Sequence, residues 1–186
     1  WTDIATGLPI GTGSPLTVTV TEPSTFMVTG TSANGCTATD EVFVNANPLP
    51  NVVINSTGPY CANSPFVLTA TGANTYTWED GSTANPRIVT STTGLQTFSV
   101  TGRVTATGCT STAQVQINVT APPTASITPS APVICSGQSV TLTASGGNSY
   151  AWAGGPNNAV KVVSPTSTTT YTVTVTDFNG CTDTES

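Results

Sequence analysis

The sequence predicts an all-β protein made of small β-sandwiches repeated in tandem. Three observations lead to this prediction: a threonine-rich composition, apolar residues that alternate along short segments, and a pattern that returns about every 73 residues. Threonine supplies 40 of the 186 residues, and its β-branched side chain favours a pleated, half-buried surface. Charged residues make up only 6% of the chain, far below the roughly 25% of an ordinary soluble domain.

The composition also argues against several classes of function. With three basic and nine acidic residues the net charge is −6, whereas binding to nucleic acid needs clustered Lys and Arg. No apolar run approaches the roughly 20 residues of a membrane helix, so no membrane insertion is predicted for this segment. Histidine is absent and the acidic residues are scattered, so the usual acid–base and nucleophile–base pairs are missing. We therefore predict a non-enzymatic protein without a cofactor.

Internal repetition is the strongest signal in the chain. The stretch ATGANTYTW (70–78) aligns with ASGGNSYAW (144–152) at a constant offset of 74, which places Trp78 on Trp152. Self-similarity at a fixed period of this length is typical of tandem arrays of one structural unit.

The cysteines follow the same period. Cys61 aligns with Cys135, again 74 residues apart, and each lies 17 residues before its tryptophan. A second pattern, with an aromatic residue, a valine two residues later and a terminal Gly-Cys-Thr, occurs three times, at residues 25–37, 97–110 and 170–182. Its cysteines are Cys36, Cys109 and Cys181, so each unit carries two cysteine positions.

Each unit contains several short strands. In the middle unit Phe66, Leu68 and Ala70 alternate with Val67 and Thr69, which predicts a strand with one buried face. Later segments alternate in the same way, and glycine-containing turn sequences separate them. Six or seven such strands in about 73 residues predict a small Greek-key sandwich.

Proline-containing linkers at 45–51 and 120–126 divide the chain, because proline ends strands. We predict that residues 1–47 are the C-terminal part of a truncated first repeat. Residues 48–121 would form a complete second repeat, and residues 122–186 a third repeat that lacks its last strand. Trp1 would then occupy the tryptophan position of the first repeat, and the chain is expected to be part of a longer array.

The cysteines predict one disulfide in each repeat. A unit of this size has a marginal core, and the separations of 48 and 46 residues predict the pairs Cys61–Cys109 and Cys135–Cys181 at one pole of each sandwich. Closing such loops would contribute about 4 kcal/mol by chain-entropy arguments. Cys36 would pair outside the chain, the alternative being a free reactive thiol. Disulfides imply an oxidising, extracellular location.

The segments 135–152 and 164–184 resemble known repeats. The pattern Cys-x-Gly-x-Ser-Val-x-Leu-x-Ala-x-Gly-Gly-x-x-Tyr-x-Trp and the stretch SPTSTTTYTVTVTDFNGCTDT are similar to the immunoglobulin-like and PKD-like repeats of very large surface proteins of Bacteroidota, including gliding-motility adhesins and cargo of the type IX secretion system. The resemblance implies export to the cell surface and a role as a spacer or an adhesive filament. The implied partners are neighbouring repeats, surface polysaccharide and the secretion machinery.

Two kinds of candidate site stand beside simpler interpretations. Asp177, Asn179 and Asp183 surround a predicted hairpin turn and carry oxygen ligands suited to calcium, although Asp-x-Asn-Gly is also a common turn sequence. The recurring aromatic residues could form a carbohydrate platform or the sandwich core; they are Tyr76, Trp78, Tyr150 and Trp152. We predict core positions for the tryptophans, because their recurrence follows the fold. Tyr60 and Phe178 occur in one repeat each and are better surface candidates.

The predicted function is a structural and adhesive segment of a long secreted bacterial protein. The alternative is an accessory spacer or carbohydrate-binding module of a secreted hydrolase. A third possibility is polymerisation by strand exchange between copies.

Overall fold

The computed structural model describes all residues from 1 to 186 and shows an all-β chain without helices. Its fifteen strands form five antiparallel sheets of three strands each. The first sheet has the order β1-β2-β3 and belongs to an N-terminal segment with strands Thr2–Asp3 (β1), Ser24–Thr31 (β2) and Thr37–Val44 (β3). Trp1 directly precedes β1, is half-buried, and donates its indole N–H to the carbonyl of Gly13 at 3.0 Å.

Two sheets pack face to face in the middle of the chain, and we call this unit the first sandwich. One sheet has the order β4-β5-β7 and the other the order β6-β8-β9. The strands are Val53–Thr57 (β4), Pro65–Thr71 (β5), Thr75–Trp78 (β6), Arg87–Thr90 (β7), Gly94–Arg103 (β8) and Thr110–Val119 (β9). Both sheets contribute to a single core of eleven buried residues.

The C-terminal part of the chain forms a second sandwich with the corresponding strand orders, β10-β11-β13 and β12-β14-β15. Its strands are Ser126–Pro129 (β10), Val140–Ser145 (β11), Ser149–Trp152 (β12), Val160–Val163 (β13), Val173–Thr176 (β14) and Thr182–Glu185 (β15). Seven buried residues form a separate core. The prediction that this unit lacks its last strand is corrected, because β15 pairs with β14 from Thr176↔Thr182 to Val173↔Glu185.

The alternating pattern of the sequence matches the burial of the strands. Phe66, Leu68 and Ala70 are only 3%, 0% and 3% exposed, while the side chains between them are partly exposed. In β14, Val173 and Val175 are fully buried. The period-2 interpretation of these segments is therefore confirmed.

The two tryptophans are core residues, as predicted. Trp78 and Trp152 are 2% and 3% exposed, and each indole N–H donates to a backbone carbonyl six residues further on. A basic group covers each ring: the guanidinium of Arg87 lies 5.3 Å from the Trp78 centroid, and the Lys161 ammonium lies 5.7 Å from the Trp152 centroid. Two of the three basic residues in the chain thus stabilise the sandwiches through cation–π contacts.

The first sandwich has an acid-sensitive element that the second lacks. Arg87 donates to a Glu79 oxygen at 2.8 Å and to an Asp80 oxygen at 2.9 Å. Burial raises the pKa of Glu79, but hydrogen bonds from Arg87 and from backbone amides outweigh it, and the net pKa is lowered from 4.5. At the corresponding positions the second sandwich has Ala153 and Gly154.

We expect acid to destabilise the first sandwich more than the second. Because the folded-state pKa of Glu79 is below its unfolded value of 4.5, its carboxylate stabilises the fold above that pH. This stabilisation is lost as the pH falls through the folded pKa. Hydrogen exchange at pH 6 and pH 3, corrected for intrinsic rates, should show a larger loss of protection in β8 than in β14. Equal losses, or an unchanged difference in the Glu79→Gln variant, would contradict this assignment.

Candidate functional site: the disulfide-bonded junction

The most elaborated site of the molecule is the junction between the two sandwiches. A disulfide joins Cys61, in the β4–β5 connection of the first sandwich, to Cys181, which directly precedes β15 of the second. Their Cα atoms are 5.6 Å apart, and the bond closes a sequence separation of 120 residues. Both cysteines are buried, at 5% and 0% exposure. The bond therefore connects two structural units and is shielded from solvent.

This bond corrects the sequence prediction of one disulfide within each repeat. The predicted pairs Cys61–Cys109 and Cys135–Cys181 are not formed, and Cys109 and Cys135 are free thiols. Cys109 precedes the first residue of β9, whereas Cys61 bridges to Thr120 just beyond its last residue. A strand of this length separates them by roughly 33 Å, but a disulfide needs Cα atoms about 4.4–6.8 Å apart. The two cysteines of a unit thus lie at opposite poles.

Thr120 links the disulfide to the first sandwich. Its N–H donates to the carbonyl of Tyr60 at 3.0 Å, and its carbonyl accepts from the N–H of Ala62 at 2.8 Å. Its hydroxyl lies 3.3 Å from the Sγ of Cys181. The start of the linker is therefore held on both sides of Cys61.

Tyr60 is part of this support rather than an exposed aromatic. Its ring packs edge-on against Phe66 with a centroid distance of 5.4 Å, and its hydroxyl lies 2.7 Å from the Ser56 hydroxyl. The prediction of Tyr60 as a surface candidate is therefore corrected. Phe178, by contrast, is 89% exposed at the tip of the β14–β15 turn.

The calcium candidates supply hydrogen bonds to the same junction. One carboxylate oxygen of Asp177 accepts the N–H groups of Asn179 and Cys181, both at 2.8 Å. Asp183 accepts the N–H of Ala125, in the linker, at 2.9 Å. No group of three or more His, Cys, Asp or Glu side chains is arranged to hold a metal ion. These residues close the turn that carries Cys181 and attach the linker to β15.

A glycine allows the linker to pass over the second sandwich. Gly146 has a φ of +105°, and a Cβ at this position would collide with the carbonyl oxygen of Thr124. Gly72 has a φ of +94° and makes the equivalent close approach to the carbonyl of Asn51. The linkers before both sandwiches are therefore seated in the same way.

The remaining aromatic candidates do not form a binding platform. The hydroxyls of Tyr76 and Tyr150 each donate to a backbone carbonyl three residues earlier, at 2.8 Å. Both rings pack against the cores, where Trp78 and Trp152 are buried. The four recurring aromatic residues therefore serve the fold.

Sequence reasoning missed several residues of the junction, and part of the signal was present. Gly72 and Gly146 share the offset of 74 that relates the tryptophans, and so do Arg87 and Lys161. The role of Thr120 carries no such signal, because it depends on the fold placing the linker beside Cys61.

Comparison with known proteins adds no identification: no family model matches the chain, and no curated protein shows significant similarity to it. The structure contains no helix capable of crossing a bilayer. The function is therefore inferred from the junction and the sandwiches themselves.

Proposed function

We propose that the chain is a non-catalytic structural and adhesive segment of a long secreted bacterial surface protein, built from tandem immunoglobulin-like sandwiches. The matching strand orders of the two units support the repeat architecture. In each unit the first, second and fourth strands form one sheet and the others form the second sheet. Immunoglobulin-like sandwiches distribute their A, B and E strands and their C, F and G strands in the same way.

The junction is the observation that carries this proposal. Two small sandwiches with separate cores are held together by a short linker, a buried disulfide and the hydrogen bond from Ala125 to Asp183. Domains connected by a flexible linker alone move relative to one another. A junction with three restraints limits bending and carries tension, which is the mechanical task of a stalk or filament.

The disulfide and the composition support an extracellular setting. Disulfides form and persist where the environment is oxidising, as on cell surfaces, and they supplement the cores of small secreted domains. Few charges and many hydroxyl groups leave the surface with few salt-sensitive patches.

Deletion of residues 52–186 from the native gene tests this function. Antibodies to another part of the protein should label intact cells of both strains, and the deletion strain should attach less to surfaces. Labelling that requires permeabilised cells would overturn the proposal. Loss of polysaccharide hydrolysis with unchanged attachment would instead support an accessory module of a hydrolase and would also overturn it.

A further inference from the structure

We infer that Cys109 and Cys135 form disulfides of the same kind as Cys61–Cys181, each with a cysteine of a further repeat unit stacked at the corresponding pole. Cys109 would bond a cysteine in the position of Cys61, and Cys135 a cysteine in the position of Cys181. This inference rests on the tandem architecture of the proposed function and adds the covalent connection between its units.

The surroundings of Cys109 match those of the bonded Cys181. The Sγ of Cys181 lies 3.3 Å from the hydroxyl of Thr120, and the Sγ of Cys109 lies 3.8 Å from the carbonyl of Asn47. Thr120 follows Asn47 by 73 residues, and Cys181 follows Cys109 by 72. Each cysteine therefore contacts the equivalent residue of the linker before its sandwich.

Both cysteines also lie at the same place in their sheets. Cys109 directly precedes β9 and Cys181 directly precedes β15, after a turn closed by a glycine. The linkers beside them cross Gly72 and Gly146 with the same close approach. The junction before the first sandwich is thus built like the one that holds the disulfide.

The opposite pole of the second sandwich has a matching receptor. In the first sandwich the turn at Gly180 packs against Pro59, next to Cys61. Pro132 follows Pro59 by 73 residues, and it lines a concavity of about 370 Å³ together with Val133, Cys135 and residues 165–169. Val133 is 84% exposed there and Cys135 is exposed. A hairpin turn ending in Gly-Cys fits this place, because such a turn occupies the equivalent place beside Cys61.

The bond-forming step is an ordinary thiol oxidation. Each new S–S bond removes two S–H protons and two electrons from a pair of thiols. A disulfide oxidoreductase of the oxidising compartment accepts the electrons by thiol–disulfide exchange, and its own disulfide becomes a dithiol.

The consequence for a longer array is a second covalent path along its axis. Each disulfide spans 120 residues, whereas only 25 residues separate Cys36 from Cys61 and 26 separate Cys109 from Cys135. Successive loops overlap, because Cys135 lies inside the loop closed by Cys61 and Cys181. Tension would therefore pass from cysteine to cysteine and load only the short intervals between the loops.

Disulfide mapping of the native protein tests the inference. Cells are treated with N-ethylmaleimide to block free thiols, and the purified protein is digested with pepsin without reduction and analysed by mass spectrometry. We expect the peptides that contain Cys109 and Cys135 to be joined to cysteines that belong to neither sandwich, and the Cys61–Cys181 peptide serves as an internal control. A partner in the same polypeptide leaves the non-reduced mass of the protein unchanged, whereas a partner in a second copy doubles it.

Two outcomes would overturn the inference. One is maleimide on Cys109 or Cys135, and the other is a bond from Cys109 to Cys61. Either result on a protein that labels at the cell surface and supports attachment would leave the proposed function standing, so the two failures are distinguishable.

Discussion

Reducing the Cys61–Cys181 bond should lengthen the chain under tension by about 400 Å. The bond removes a separation of 120 residues from the covalent path, and an extended chain spans about 3.3–3.6 Å per residue. A tether that holds both ends would therefore reveal this hidden length only after reduction. Single-molecule force spectroscopy with and without a thiol reductant measures the difference directly.

Two variants sharpen this experiment. Cys61→Ser should show the long extension even without reductant, whereas Cys109→Ser should behave like the unmodified chain. Two intra-repeat disulfides would instead hide loops of 48 and 46 residues, and reduction would release two separate increments of about 160 Å each. That result would contradict a bond between the sandwiches.

Replacing Gly146 with alanine should destabilise the second sandwich by about 3 kcal/mol. The backbone has a φ of +105°, and the new Cβ would collide with the Thr124 carbonyl. The positive φ alone costs about 1–2 kcal/mol for a residue with a Cβ, and overpacking adds about 1–3 kcal/mol. Chemical denaturation followed by Trp152 fluorescence in the Trp1→Phe, Trp78→Phe background reports on this unit.

Gly137→Ala is the matched control. Gly137 also has a positive φ, of +78°, but no atom lies within 4 Å of its added Cβ. It should therefore cost only the conformational part, about 1 kcal/mol. If both variants lose the same stability, the linker is not seated on Gly146 and the junction is looser than described.

The strands and the buried tryptophans were predictable because they depend on local patterns. Alternation fixes which face of β5 carries Leu68, and the offset of 74 identifies Trp78 and Trp152 as one structural position. Burial follows from these patterns, since a strand with one apolar face must bury it.

The disulfide was not predictable in the same way. In a periodic chain, a bond within one repeat and a bond to the next repeat are related by a shift of one period. The separations of Cys61 from Cys109 and from Cys181 therefore fit the repeat equally well. The strand direction decides between them: β9 carries the chain from Cys109 at one pole to Cys61 at the other. That information arises only when the sheets are assembled.

The acidic residues at the turn illustrate a second limit. Asp177 and Asp183 have the chemistry of calcium ligands, but the same oxygens can accept backbone N–H groups. The structure uses them for Cys181 and Ala125. Composition cannot distinguish these uses, because the position of the linker decides which donors reach each carboxylate.

The covalent connection between the sandwiches is the central claim, and a peptide map of the oxidised chain tests it most directly. Digestion at low pH suppresses exchange between thiols and disulfides, because thiolates are scarce there. A disulfide-linked peptide pair containing Cys61 and Cys181 is the expected result. Linked pairs that join Cys61 to Cys109 and Cys135 to Cys181 would contradict the account.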